Sequence, residues 1–291
     1  MRVAFAGLGV MGFPMAGHLA RAGRQMTVFN RSPEKARRWA GTYAGRACAS
    51  AAEAANDAEL LVLCVGNDDD VRQVVREALP AMAAGAVVVD HTTTSAVVAR
   101  EMAALAAKDG RGFVDAPVSG GQAGAEAGQL TIMCGGEAAA FETARPVISA
   151  YAKAVRLMGG PGSGQLTKMV NQICIAGVVQ GLAEGLHFAR RAGLDPAGVY
   201  EAISKGAAQS WQMDNRWKTM DAGEYDHGFA VEWMRKDLSI VLDEARRSGA
   251  SVPMTAMIDQ FYAEVENMGG KRWDTSSLFA RQEMTRKGGR G

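Results

Sequence analysis

Val3-Ala4-Phe5-Ala6-Gly7-Leu8-Gly9-Val10-Met11-Gly12, residues 3–12, carries the strongest fold signal in the chain. Four apolar residues read as a buried strand, then Gly7, Gly9 and Gly12 follow in Gly-x-Gly-x-x-Gly spacing, and a helix-compatible run continues over residues 14–22. In such a strand–turn–helix unit the first glycine permits the tight turn, the second lets a pyrophosphate approach the backbone, and the third brings helix against strand. The helix N-terminus adds N–H donors and a dipole that favours an anion. Gly7, Leu8, Gly9, Val10, Met11 and Gly12 are therefore the expected contacts of a dinucleotide.

Outward from this unit the first half alternates short apolar runs with Ala-rich stretches, the pattern of βαβ units and a parallel sheet. Strands are predicted over 26–29, 60–65, 86–90, 112–115 and 130–134, with a helix over 33–40. Breakers cluster at 158–162 and set the predicted domain boundary, 1–162 and 163–291. Residues 163–190 contain no proline and predict one helix of about 28 residues, roughly 40 Å long. Gly177, Gly181 and Gly185 align on one face of it and offer a close approach to another helix. Helices over 196–204, 233–248 and 253–268 make the second half all-α.

Where a dinucleotide fold reading NAD places an acid, about twenty positions after the glycines, the chain has Asn30-Arg31-Ser32. An arginine cannot accept from a ribose hydroxyl but pairs a 2′-phosphate through charge-assisted bonds. NADP(H) is thus the expected cofactor, with NAD(H) as the alternative, and Asn30, Arg31, Ser32 and the strand-end Val65 join the cofactor contacts.

Composition agrees with a small-molecule enzyme. The 291 residues carry 32 Lys+Arg against 31 Asp+Glu, a net charge of +1, which gives no electrostatic case for nucleic acid or an anionic membrane. Cysteines 48, 64, 134 and 174 show neither paired nor metal-ligand spacing, so free thiols, no metal and a cytoplasmic location are expected. Glycines 7, 9, 12 and 17 and Pro14 interrupt the apolar start, which argues against a signal peptide, and no uninterrupted apolar run of about 18 residues suggests a membrane span.

Three further motifs join the glycine fingerprint in order: Asp115-Ala116-Pro117-Val118-Ser119-Gly120-Gly121, Gly162-Ser163-Gly164 leading to Lys168, and Lys236-Asp237-Leu238. Over nearly its whole length the chain resembles the β-hydroxyacid dehydrogenases, which include 3-hydroxyisobutyrate dehydrogenase and the tartronate and glyoxylate/succinic semialdehyde reductases. The resemblance implies an α/β fold: an N-terminal Rossmann-type domain and a C-terminal all-α domain joined by a long helix. It implies Lys168 as the catalytic acid/base, with Asn171 and Gln172 at i+3 and i+4 on the same helix face; Asn171 would orient the substrate oxygen or the lysine, and Gln172 would contact the substrate. It also assigns Ser119, Gly120 and Gly121 to the substrate carboxylate, Thr93 and Lys236 to the cofactor, and Trp211 and Phe229 to the substrate pocket. A homodimer or homotetramer acting on a small aldehyde-acid or hydroxy acid is the implied assembly.

His18 reads as a packing or capping residue, while His91, His187 and His227 show no carboxylate at suggestive spacing. Imine reductases share the architecture but generally lack the lysine that stands here at 168. The Lys-x-x-His-Asn pattern of 6-phosphogluconate dehydrogenase is absent from Lys168-Met169-Val170-Asn171. A non-catalytic cofactor-binding scaffold is the reading from a different class, and the intact lysine weighs against it.

Overall fold

Val3 and Phe5 of the first strand enter one apolar cluster while Ala4 and Ala6 enter another, as the two-residue side-chain period of a strand requires. A strand buried on both faces reads as a continuous apolar run, and its sheet must carry helices on both sides. The computed structural model describes residues 1–284. The chain divides into two units, Met1–Lys168 and Met169–Gly291.

The first unit runs β1 (Arg2–Ala6), α1 (Gly12–Arg21), β2 (Gln25–Phe29), α2 (Pro33–Ala40), β3 (Arg46–Ala47), α3 (Ala51–Ala55), β4 (Leu60–Leu63), α4 (Asp68–Ala78), β5 (Val87–Asp90), α5 (Ala96–Lys108) and β6 (Gly112–Asp115). It continues through β7 (Val118–Ser119), α6 (Gly121–Glu126), β8 (Leu130–Gly136), α7 (Ala138–Ile148) and β9 (Ala152–Gly159) into α8 (Ser163–Arg191). Side-chain oxygens start several helices: Ser50 accepts from the Glu53 amide, Asn67 from Asp70 and Ser95 from Val98.

The nine-stranded sheet has the order β3-β2-β1-β4-β5-β6-β8-β7, with β9 on β8. From β3 to β6 every pairing is parallel, as the alternating pattern predicts; beyond β6, β8 pairs antiparallel with β6 and β7 and parallel with β9. The segment between β6 and β8 holds β7 and the six-residue α6, too little chain for a helix that spans the sheet and returns the next strand parallel. β9 is absent from the sequence reading because only Ala152, Val155 and Leu157 of its apolar side chains pack inward, none of them fully buried, while Lys153 and Arg156 face out. Strand order reverses between β1 and β4, and a crevice at the carboxyl ends of strands flanking such a reversal is where open α/β sheets bind ligands.

The second unit takes up α8 and adds α9 (Pro196–Ile203), α10 (Trp211–Ala222), α11 (Val231–Ser248), α12 (Pro253–Asn267) and α13 (Leu278–Met284). α10 and α13 are additions to the predicted set. α10 carries only Met213, Trp217 and Met220 toward the core, among charged and amide residues that dilute its period. Although α8 is long and apolar enough to cross a membrane by composition, its Ala176, Val179, Leu182, Ala183 and Leu186 lie in the apolar cluster of this unit. Of the three aligned glycines, Gly177 lies against Met254, while a Cβ on Gly181 or Gly185 would meet nothing within 4 Å.

Candidate functional site

The turn after β1 is built by close backbone approach. Gly7 has φ +95° and donates to the Phe29 carbonyl at 2.9 Å; a Cβ there would fall on the Cys64 carbonyl oxygen, and one on Gly12 would fall on the Gly7 carbonyl oxygen. Gly9 differs: a Cβ would meet nothing within 4 Å, so the chain itself does not require glycine at this exposed point. That opening, beside the start of α1, is the fit expected of a backbone cradle for a dinucleotide pyrophosphate. Leu8 is buried, its amide donating to Asn30 Oδ1 at 2.7 Å, and Asn30 Nδ2 donates to the Ser32 carbonyl at 3.1 Å. Asn30 thereby ties the second strand's end to the glycine turn. Val10 is 66% exposed.

Arg31 is 84% exposed and its Nη1 donates to Asp70 Oδ1 at 3.0 Å. Asp70 also accepts from the Gly66 amide at 3.2 Å, so α4 holds a carboxylate against the arginine expected to read the cofactor ribose. Sequence reading missed Asp70.

A buried polar network joins the ends of β4, β5 and β6 to the first turn of α8. Val65 N donates to Thr92 Oγ1 at 3.0 Å, and Thr92 N donates to Asp90 Oδ1 at 2.9 Å. Asp115, paired with Asp90 in the sheet register, accepts from Gly162 N at 2.7 Å and Gln165 N at 2.9 Å. Gln165 donates from Nε2 to the Thr92 carbonyl at 2.7 Å and accepts from Thr94 N at 3.1 Å. Burial pushes the Asp90 carboxyl up to about 7 and the Asp115 carboxyl to about 6, opposed at both by hydrogen bonds to the charged form. Thr93 is half-buried between the two bonded threonines.

Lys168, 8% exposed, stands one turn after Gln165 and donates from Nζ to the Val118 carbonyl at 2.9 Å. Val118 opens the loop of Ser119, Gly120 and Gly121, where φ is +132° and +61° at the two exposed glycines. The lysine and the expected carboxylate loop are therefore neighbours within one unit, 50 residues apart in sequence. Asp115 was part of a quoted motif without a role, and Gln165 was not singled out; its spacing of three from Lys168 is the signal that could have found it.

In the second unit Asn171 Nδ2 donates to Gln172 Oε1 at 2.8 Å and Gln172 Nε2 donates to Asp237 Oδ2 at 2.7 Å. Lys236 Nζ lies 3.3 Å from Asp237 Oδ1. Gln172 and Asp237 are buried, so Gln172 spends both amide ends on its neighbours. Trp211 is 59% exposed with the Arg216 guanidinium over its ring, and Phe229 is 37% exposed. Buried Asp274 links them, accepting from Arg216 Nε at 3.0 Å and from the Phe229 amide at 2.9 Å.

Two of the histidines do meet carboxylates, from distant segments: His187 Nδ1 lies 2.9 Å from Glu283, and His227 Nδ1 lies 3.9 Å from Asp274. His91 is buried, bonded to the Ala116 carbonyl at 2.6 Å and to the Tyr151 hydroxyl at 2.8 Å, and burial drives it down to about 4. His18 Nε2 lies 3.1 Å from the Ala125 carbonyl and 3.0 Å from that of Glu126, at the end of α6. Among the described residues no group of three or more His, Cys, Asp or Glu is placed to hold a metal ion.

Residues 2–160 match the NAD-binding domain of 6-phosphogluconate dehydrogenase, and residues 162–281 match the NAD-binding domain of NADP-dependent 3-hydroxyisobutyrate dehydrogenase. The chain is 61% identical to an uncharacterized oxidoreductase of Shewanella frigidimarina over 98% of its own length and 99% of the relative's. It is 31% identical to the 2-hydroxy-3-oxopropionate reductase of Escherichia coli, over 98% of each chain. Among solved structures, Mycobacterium tuberculosis 3-hydroxyisobutyrate dehydrogenase with L-serine is similar at a TM-score of 0.88 and 29% identity, covering 96% of this chain and 99% of that one.

Proposed function

This chain belongs to the β-hydroxyacid dehydrogenase family of NAD(P)-binding oxidoreductases, and we propose that it reduces a small aldehyde-acid reversibly to the hydroxy acid, preferring NADPH. One observation carries the reading: the Lys168 ammonium, buried and held 2.9 Å from the Val118 carbonyl, stands at the start of the Ser119-Gly120-Gly121 loop.

When bound, the reduced nicotinamide supplies the hydride. Lys168 holds the proton at Nζ and passes it to the carbonyl oxygen as charge develops there; in the oxidative direction it takes the proton back. The carbonyl of Val118 fixes the ammonium in place, and the backbone N–H groups of Ser119, Gly120 and Gly121 take the substrate carboxylate. Asn171 orients the substrate oxygen. Gln172 contacts the substrate beside Asn171, its amide held by bonds to Asn171 and Asp237. Trp211 and Phe229 contribute apolar surface to the substrate, and Lys236, held by Asp237, reaches the cofactor.

Gly7, Gly9, Val10, Met11 and Gly12 hold the pyrophosphate, and Leu8 and Asn30 hold the shape of that turn. Arg31 and Ser32 take the 2′-phosphate, and Val65 and Thr93 meet the ribose and nicotinamide. The enzyme works in the cytoplasm as a homodimer or homotetramer. A steady-state panel of glyoxylate, tartronate semialdehyde, methylmalonate semialdehyde and succinate semialdehyde, each with NADPH and NADH, tests the proposal. Turnover of one aldehyde-acid with higher kcat/KM for NADPH is expected. Absence of turnover across the panel despite NADPH binding would overturn the reaction class, and equal or better use of NADH would overturn the preference.

A further inference from the structure

We propose that Gln165 is a positioning residue for Lys168: its buried amide clamps the loop of residues 92–94 to the first turn of α8 and so fixes where the lysine ammonium stands. The inference rests on the reading of Lys168 as proton donor.

Gln165 is fully buried, a position where an apolar side chain would cost nothing in desolvation. Instead both ends of its amide are spent on the backbone of one loop, donating to the Thr92 carbonyl at 2.7 Å and accepting from the Thr94 amide at 3.1 Å. These bonds bracket Thr93 and fix the path of the backbone around it. Capping α8 does not require them, because Asp115 already accepts from the Gly162 and Gln165 amides at 2.7 and 2.9 Å. What the side chain adds is a lateral tie between the helix and the β5 loop.

That tie sits three residues before Lys168, on the same helix face. Three anchors then determine the lysine. Asp115 sets the start of the helix, Gln165 sets its distance from residues 92–94, and the Val118 carbonyl receives Nζ. On the other side, the Thr92 hydroxyl accepts from the Val65 amide at 3.0 Å, so the loop that Gln165 grips also fixes the end of β4. All of these groups lie within the first unit. Misplacing a catalytic group by about 1 Å can lower the rate on the order of a hundredfold, so a clamp of this kind acts on kcat more than on binding.

The test is a double-mutant cycle on the full chain with Gln165→Met, which keeps the length of the side chain and removes both polar ends. In the cofactor-free protein, amide exchange at Thr94 should accelerate at least tenfold, because its N–H loses its acceptor. NADPH Kd should stay within about threefold, and kcat should fall roughly ten- to a hundredfold. In a Lys168→Ala background the same substitution should change single-turnover hydride transfer by less than about twofold, because the group it positions is gone. Gln165→Glu keeps an acceptor for Thr94 and loses the donor to Thr92; it should give a smaller loss of kcat with Thr94 still protected, and it carries the cycle if the methionine variant does not fold. Equal losses in the two backgrounds, or unchanged kcat in Gln165→Met with Thr94 exchange accelerated, would overturn the proposal. Normal turnover in Lys168→Ala alone would refute the catalytic reading instead, and Thr94 exchange would then decide whether the clamp exists.

Discussion

Replacing Gly9 and Gly12 by alanine, one at a time, should separate cofactor binding from folding within a single turn. A Cβ on Gly12 lands on the Gly7 carbonyl oxygen and reaches the Phe5 ring at 3.0 Å, in the packed junction of α1 and β1. Backbone must move to admit it, an overpacking cost of about 1–3 kcal/mol. For a unit of this size each kcal/mol lowers Tm by roughly 2–4 °C, so Gly12→Ala should melt about 2–12 °C below the parent in the absence of cofactor. A Cβ on Gly9 meets nothing within 4 Å, and Gly9 is not among the glycines with positive φ. Alanine there reduces the entropy of the unfolded chain and should leave Tm unchanged or raise it slightly, by up to about 1 kcal/mol in stability. If the opening at Gly9 is where the pyrophosphate approaches, the same methyl group should weaken NADPH binding at least tenfold. Differential scanning fluorimetry without cofactor, paired with titration of NADPH fluorescence, reads both quantities. A Gly9→Ala protein that binds NADPH like the parent would refute the cradle, and one that melts as low as Gly12→Ala would refute the packing argument.

Arg31→Gln should reduce NADPH affinity roughly tenfold or more while changing that for NADH little; equal losses for both cofactors by calorimetry would dismiss the arginine as the reader of the 2′-phosphate. Asp70→Asn removes the carboxylate that Arg31 now holds at 3.0 Å and should shift the NADPH/NADH affinity ratio severalfold toward NADPH, whereas a shift toward NADH would contradict that geometry. Asp90 is pushed up to about 7 from an ordinary 3.8, so the folded state binds its proton across that interval; its contribution is full below about pH 4 and is lost as pH rises through 7. Between pH 5 and 7, Asp90→Asn should therefore spare a stability loss on the order of 2 kcal/mol seen in the parent by urea denaturation, and parallel pH curves would disprove it. His91, driven down to about 4, has the opposite sign: its neutral burial favours the fold above about 6.5 and disfavours it progressively as pH falls toward 4.

What could be read in the sequence follows the range of the interactions. Gly7, Gly9 and Gly12 are legible because turn, cradle and helix contact lie within six consecutive residues. β4 and residues 87–89 of β5 are legible because burial on both faces leaves an unbroken apolar run. β9 and α10 escape because few of their side chains face inward and exposed residues, charged ones among them, interrupt the apolar period. The Arg31–Asp70 pair joins residues 39 apart and the Gln165–Thr92 bond joins residues 73 apart, so local spacing could point to Gln165 beside Lys168 but not to either partner. Lys168 itself looks like any helical lysine in isolation; motif resemblance singled it out, while its burial and its bond to Val118 belong to the fold. Gln172 shows the same limit, since its i+4 spacing from Lys168 gives no sign of its bond to Asp237, 65 residues away.

Under the proposed function Lys168 moves the proton that accompanies hydride transfer, a role open to direct test. Its most direct test is kcat with the preferred aldehyde-acid alongside NADPH Kd, both measured on Lys168→Ala. A fall in kcat of about two orders of magnitude or more, with Kd within a few-fold of the parent, is the predicted result. Near-parental kcat in a protein that still binds NADPH would rule out Lys168 as the proton donor.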